Sequence, residues 1–192
     1  MTWYEFWKFL HVGFAVLWVG GGAMIQFFAL RALRSEDNER TVEFAADVEW
    51  IGGRLLTAFS AGAFLTGIAL VWNAPFWKIG DDWIVIGLVL FAVTFIAGAA
   101  FFGPEAGRIS KLAAAEGPDS PAVQARIRRI LMLSRIDLVV LFLILFDMVV
   151  KPSFSDGWTI VGALVVAVVV AALLVVPARR SFVAADTGPS AD

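Results

Sequence analysis

The chain has 192 residues, of which 60% are hydrophobic, and its 15 Lys and Arg nearly balance its 17 Asp and Glu. A mean hydropathy of +0.82 leaves too little polar surface for a water-soluble globule of this length. The sequence has no cysteine, which excludes disulfides, thiolate metal centres, iron–sulfur clusters and cysteine nucleophiles. Its basic residues form no tract dense enough for a nucleic-acid site.

Five long apolar blocks follow one another along the chain. Each has about 20 residues, the length that an α-helix needs to cross the hydrocarbon core of a bilayer. The predicted transmembrane helices are residues 6–30, 51–72, 83–102, 130–150 and 158–176. The sequence therefore predicts an all-α, polytopic transmembrane bundle over residues 1–180, followed by a disordered tail at residues 181–192.

Two segments between the blocks predict where helices begin. Residues 35–50 carry apolar side chains among acidic ones, which predicts a helical extension of the second block with Ser35 or Asp37 as its N-cap. Ser120 followed by Pro121 predicts the start of the fourth helix, because proline loses no hydrogen bond at a first helical position.

The basic residues are divided unequally between the two predicted sides of the bundle. Twelve Lys and Arg fall on the side reached after the first, third and fifth blocks, and only Lys8, Lys78 and Lys151 fall on the other. Six of the eight tryptophans, together with Tyr4, lie at the boundaries of this second side, where their rings prefer the membrane interface. Because cytoplasmic segments are enriched in Lys and Arg, we expect an outside N-terminus and an inside C-terminus.

Small residues recur at a spacing of four in several blocks. Ala63 and Gly67 show this spacing in the second block, and Ala163, Ala167 and Ala171 show it in the fifth. Small side chains four apart let the backbones of membrane helices approach each other closely. The spacing therefore predicts seams of helix packing.

Polar residues inside the blocks are the candidates for a site. In the first block His11 shares one helix face with Trp18 and Gln26. The fourth block carries three ionisable residues, namely Arg135, Asp137 and Asp147. An ionised group at mid-bilayer costs at least about 2.5–3.5 kcal/mol, so such residues tend to be paired or functional.

His11 and Asp147 have matched depths in the membrane. At 1.5 Å per residue they differ by only about 3 Å, so a hydrogen-bonded pair can form if the first and fourth helices are neighbours. Such a pair suits a proton relay, or the second shell of a metal ligand. Met148 adjoins Asp147 and, with His11, provides a ligand pair known for haem iron, although it projects about 100° away from Asp147.

Purely structural interpretations stay open for the same residues. His11 on its own fits a polar packing residue at a helix interface, and Asp147 fits an ion pair with Lys151 one turn later. Gln26 lies about 22 Å further inward than His11, which places it in a separate inner cluster with Arg135.

Two stretches of sequence resemble known families. LHVGFAVLWVGGG at residues 10–22, together with DMVVKP at residues 147–152, resembles an uncharacterised family of small multipass bacterial integral membrane proteins, a domain of unknown function. The first helix is also similar to the copper-resistance D type and, more distantly, to the membrane-bound protoporphyrinogen oxidase of the haem pathway. These resemblances imply a bundle in the bacterial cytoplasmic membrane with a haem or copper role centred on His11. The chain departs from a four-ligand copper site, since it has one His and no Cys.

Several function classes follow from these observations. The first is a membrane bundle that binds haem, a metal ion or a quinone, or relays protons, near His11 and Asp147. The second is a membrane redox enzyme of the haem-pathway type, and the third is a structural accessory subunit of a larger membrane complex. The expected surroundings are a lipid bilayer and either a second copy of the chain or a membrane complex, without nucleic acid. The sequence leaves open whether the protein is an enzyme.

Overall fold

The computed structural model describes residues 2–33 and 37–186, with side chains described except for Leu33 and residues 176–186. Two π-helical segments, Gly52–Leu56 and Ala97–Phe102, join neighbouring α-helices into continuous rods. No β-strand occurs in these ranges, so the predicted all-α class is confirmed. The α-helices are α1 (Trp3–Leu33), α2 (Asn38–Ile51), α3 (Thr57–Trp72), α4 (Asp82–Ile96), α5 (Gly103–Glu116), α6 (Pro121–Val150) and α7 (Gly157–Asp186).

The helices are long and apolar enough for a membrane bundle. Four described stretches meet both conditions by length and composition, namely Trp3–Ala32, Asn38–Trp72, Asp82–Glu116 and Gly157–Val175. Helix α6 has 30 residues and packs among them, but its polar residues lower its mean hydropathy. At 1.5 Å per residue it reaches about 45 Å, more than the hydrocarbon core of about 30 Å. The predicted five-helix bundle is therefore confirmed, while its orientation stays a prediction.

Both predicted helix starts are present. The Asp37 side chain accepts a hydrogen bond from the backbone N–H of Arg40 at 3.0 Å, as an N-cap residue does. Ser35, the other predicted cap, lies outside the described residues. Helix α6 begins at Pro121, with Ser120 in the cap position.

Two helices extend further than the sequence predicted. The third apolar block was expected to end at residue 102, but α5 continues the rod to Glu116, because its apolar side chains pack on α6. Helix α7 continues to Asp186, past the predicted end at residue 176 and into the predicted disordered tail. Ala178, Ala184 and Ala185 favour helix in this stretch, although Pro177 does not. Residues 187–192 of the predicted tail lie outside the described residues.

The helices pack around two hydrophobic clusters. Helix α1 packs along α3 and also contacts α6, while α6 packs against α4 and α7. The first cluster lies in the apolar part of the bundle and contains Trp18, Val19, Ala63, Leu141 and Ile144. The second lies between α5 and the start of α6 and contains Ile109, Ala113, Val123 and Ile127. Helix α2 covers this second cluster with partly buried Val42 and Ala45.

Candidate functional site

A cavity of about 270 Å³ lies between α1, α3, α4 and α6. It contains one imidazole, one thioether and two lysines, and its remaining walls are mostly apolar and aromatic. We call it the His11 cavity, after the histidine on its α1 wall. The residues used below are Tyr4, Lys8, His11, Trp18, Trp77, Trp83, Met148 and Lys151.

One hydrogen bond fixes the tautomer of His11. Its Nδ1 lies 2.8 Å from the backbone oxygen of Ala63 on α3. A carbonyl oxygen only accepts, so Nδ1 carries the hydrogen and the neutral ring has an unprotonated Nε2. Gly67 makes room for the ring, since a Cβ there would lie 3.1 Å from the His11 Cε1. No hydrogen bond joins Nε2 to another described residue, which leaves its lone pair for a ligand.

Two lysines at the cavity lie over aromatic rings. The Lys151 Nζ is 4.2 Å from the centroid of the Trp77 ring and 5.0 Å from that of Trp83. The Lys8 Nζ is 5.3 Å from the Tyr4 ring centroid. No acidic side chain lines this cavity, so its charged groups are all basic. The buried Nε1 of Trp83 has no hydrogen-bond partner among the described residues, which adds an unused donor.

The Asp147 side chain lies beside α4. It is 2% exposed, and neither carboxyl oxygen has a hydrogen-bond partner in the described part of the chain. A Cβ added to Gly87 would lie 2.9 Å from the Asp147 Oδ2, so this glycine provides the space that the carboxyl group occupies.

Neither predicted partner of Asp147 binds it. The expected hydrogen bond with His11 does not form, because the His11 Nδ1 donates to α3 instead. The alternative ion pair with Lys151 is also not made, since that ammonium group lies over the tryptophan rings. Helices α1 and α6 are nevertheless in contact, as the predicted site requires. Met148 does line the same cavity as His11.

A second cavity, of about 390 Å³, lies next to the first. Its polar lining includes Gln26, Glu49 and Asp137, after which we call it the Asp137 cavity. Trp18 lines both cavities and therefore stands between them.

The predicted cluster of Gln26 with Arg135 is wrong. Gln26 lines the Asp137 cavity, whereas the Arg135 Nη1 donates to the backbone oxygen of Leu174 on α7 at 2.8 Å. Asp137 follows Arg135 by two residues, which is about 200° around a helix. The two side chains therefore leave α6 on opposite faces, and only Asp137 reaches the cavity with Gln26.

Sequence reasoning missed the lysines and assigned the tryptophans near them to the membrane interface. Trp77 and Trp83 line the His11 cavity and contact Lys151. A signal was nevertheless present in the sequence, since Lys8, Lys78 and Lys151 all fall on the side where the tryptophans cluster. Ammonium groups bind the faces of aromatic rings, so this combination indicates cation–π contacts. Glu49 was also missed, since it lies in the segment that the sequence predicts to extend beyond the membrane.

These features define a polytopic helical membrane protein with two mostly apolar cavities, each of which contains a few charged or polar groups. Residues 5–152 match the family described as predicted integral membrane protein (DUF2269). The chain belongs to this family, which confirms the predicted resemblance to an uncharacterised family of membrane proteins. The matched range contains every residue of the Asp137 cavity and, apart from Tyr4, every residue of the His11 cavity. No curated protein and no solved structure matches the chain.

Proposed function

We propose that this protein binds haem in the His11 cavity, with the Nε2 of His11 as an iron ligand. The hydrogen bond from His11 Nδ1 to the Ala63 backbone oxygen carries the proposal. Metal-binding histidines usually donate their second ring hydrogen to a carbonyl or carboxylate, which orients the ring and raises the basicity of the ligating nitrogen. His11 has this arrangement inside a mostly apolar cavity.

The set of donor atoms favours haem over a bare metal ion. Among the described residues, no group of three or more His, Cys, Asp and Glu side chains could hold a metal ion. A copper ion at His11 would therefore lack the further ligands that its binding requires. A porphyrin supplies four nitrogen ligands itself, so the protein needs to add only axial ligands such as His and Met. Met148 lines the same cavity and would be the residue that supplies a second ligand.

The aromatic walls and the basic groups of the cavity suit the rest of a haem molecule. Aromatic walls suit the flat macrocycle, and the ammonium groups of Lys8 and Lys151 suit its carboxylates. A volume of about 270 Å³ is slightly below the usual range of about 300–1,000 Å³ for small-molecule sites. Part of the ring would therefore extend beyond the cavity.

We also propose a cellular location for the protein. We place it in the bacterial cytoplasmic membrane as a multi-pass protein. Its match to a family of predicted integral membrane proteins supports the membrane location, and the resemblance of its sequence to bacterial families supports the finer assignment.

Proton relay is the second candidate function, and Asp147 favours it. An almost completely buried carboxyl group without a hydrogen-bond partner is rare in a membrane helix and is typical of proton pathways. His11 lies on the facing helix α1 and has a free basic nitrogen. A quinone, a haem-pathway redox enzyme and an accessory subunit remain as further alternatives, without an observation that selects one of them.

An absorption spectrum of the purified protein tests the haem proposal. The parent protein, expressed with a haem precursor and purified in detergent, should show a Soret band. His11→Ala should lose the band, and Met148→Leu should shift it, because one axial ligand changes while the other remains. Gln26→Leu is the matched control, since it changes a polar residue of α1 that lines the other cavity, and it should keep the parent spectrum.

The opposite result would identify a different function. A folded parent protein that stays colourless after reconstitution with haem would contradict the proposal and favour the proton relay or an accessory subunit. A Soret band that persists in His11→Ala would mean that haem binds elsewhere in the chain.

A further inference from the structure

The Asp137 cavity differs from the His11 cavity in the sign of its charge. Its lining includes the carboxyl groups of Glu49 and Asp137 and the amide of Gln26, but no Lys, Arg or His. The His11 cavity has two lysines and no acid. The two cavities therefore select ligands of opposite charge, and the Asp137 cavity selects a cation.

Two of the three polar groups named above have no partner in the described part of the chain, whereas Glu49 accepts a hydrogen bond from the Ser110 hydroxyl at 3.3 Å. No hydrogen bond or ion pair joins Asp137 or Gln26 to another described residue. By contrast, the cavity hydroxyls donate within their own helices. Ser60 donates to the Thr57 oxygen at 3.0 Å, and Ser134 donates to the Leu131 oxygen at 3.1 Å. The Asp137 carboxyl group is thus an unused acceptor in an apolar region, where an unpaired charge is costly.

Both π-helical segments line this cavity. Gly52 and Gly53 come from the first segment, and Gly98 comes from the second. A Cβ added at any of these three glycines would have no atom within 4 Å, so space lies beside both segments. π-Helical turns inside α-helices occur frequently at functional sites. Two of them at one cavity therefore indicate a site and not only a packing defect.

The walls of the cavity are suited to an apolar molecule that carries a positive charge. Aromatic rings from three rods line it, including Trp18, Phe44, Phe95 and Phe102. The faces of such rings attract cations as well as apolar groups. A volume of about 390 Å³ is within the usual range of about 300–1,000 Å³ for small-molecule sites.

We propose that the Asp137 cavity binds a lipophilic organic cation, such as a protonated amine or a quaternary ammonium compound. The charge of the ligand lies against the Asp137 carboxylate, and its apolar groups contact the aromatic walls. Glu49 is exposed at the side of the cavity formed by α2, where its negative charge attracts the cation. This site is separate from the haem site, and its ligand belongs to a different chemical class.

Two probes of the same shape and opposite charge test the proposal. Binding of tetraphenylphosphonium and of tetraphenylborate to the full-length protein in detergent is measured by equilibrium dialysis. The phosphonium cation should bind saturably, and the borate anion should neither bind at this site nor compete. Asp137→Asn should weaken cation binding at least about tenfold, because it removes the opposing charge. Asp47→Asn is the matched control, since Asp47 is an exposed acid of α2 outside the cavity lining, and it should bind like the parent.

A second variant keeps the test decisive if Asp137→Asn does not fold. Gly98→Leu adds volume beside the cavity without changing any charge, and it should also reduce binding. Displacement of the phosphonium cation by the borate anion in the parent would overturn the proposal, because the cavity would then select shape alone. Unchanged cation binding in folded Asp137→Asn or in Gly98→Leu would overturn it as well. A loss of the Soret band would not affect this result, so the two proposals fail independently.

Discussion

Among the side chains that the structure describes, two carboxyl groups are almost completely buried, and only one of them has charged partners. Glu105 is 3% exposed and binds Arg126 at 2.6 Å and Arg108 at 3.3 Å. Asp147 is 2% exposed and has no hydrogen-bond partner among the described residues. The hydrogen bonds from the two arginines offset the cost of burying the Glu105 charge. No such compensation exists at Asp147, which is why we assign it to function and not to stability.

This contrast predicts different effects of removing each charge. Glu105→Gln should lower the stability of the protein by about 1–3 kcal/mol, since it weakens two charge-assisted hydrogen bonds. Asp147→Asn should leave stability close to that of the parent, because no partner loses a bond. Thermal unfolding in detergent measures both variants. An equal loss of stability in both would mean that Asp147 has a structural partner.

At the scale of residues, the contact between the helices that carry His11 and Asp147 agrees with the prediction, whereas the directions of the two side chains do not. The rise per residue placed His11 and Asp147 at similar depths, and both helices are indeed in contact. The partner of His11 is a backbone oxygen 52 residues away on α3. To predict that His11 binds α3 and not α6, one must know how α1 is rotated about its own axis. This rotation depends on how α1 packs against all its neighbours and not on local residue spacing.

Among the elements, α1 and α3 make the closest approach to each other through glycines of α3. A Cβ added to Gly62 would lie 2.6–2.8 Å from three atoms of the Phe14 ring on α1. Gly67, further along α3, provides the space for His11. Small residues thus bring the two helices together and also place the imidazole in its cavity.

Gly62→Ala should therefore lower the unfolding temperature of the protein. The added methyl group would overlap the Phe14 ring, and a ring held between two helices cannot move away as easily as a flexible side chain. Gly13→Ala is the matched control, because a Cβ there would have no atom within 4 Å. It should leave the unfolding temperature unchanged or raise it, since alanine favours helix. Similar effects of the two substitutions on thermal unfolding in detergent would contradict this account of the α1–α3 contact.

The positions of the helices could be predicted from the sequence more accurately than their ends or their π-helical segments. Apolar blocks of about 20 residues identify membrane helices directly. Asp37 and Pro121 mark helix starts because their local chemistry favours those positions. The π-helical segments have no comparable signal, since each lies inside a continuous rod without a cap or a proline at its first residue. The extension through α5 was missed because its stability comes from packing on α6.

The whole molecule is asymmetric along its long axis. At one end, Lys8 and Lys151 lie at the His11 cavity with their aromatic partners. At the other, Arg108 and Arg126 bind Glu105 beside the second hydrophobic cluster. The two cavities lie between these ends, with Trp18 shared by both. The His11 cavity is therefore nearer the lysine end of the bundle, and the Asp137 cavity, which Ala106, Ile109 and Ile127 also line, is nearer the arginine end.

We propose that the N-terminus and the His11 cavity face the outside of the cell, with the arginine-rich end in the cytoplasm. The proposal rests on the unequal number of basic residues, since twelve Lys and Arg lie on the arginine-rich side and three lie on the other. Segments rich in Lys and Arg stay in the cytoplasm during membrane insertion. Reporter proteins fused after Ile79 and after Gly117 test it. Ile79 lies in the connection between α3 and α4, and Gly117 lies in the connection between α5 and α6, at the opposite end of the bundle. Alkaline phosphatase should be active after Ile79 and inactive after Gly117, and a green fluorescent protein should show the reverse. Fluorescence after Ile79, or phosphatase activity after Gly117, would contradict this orientation. The lysine end with the His11 cavity would then face the cytoplasm.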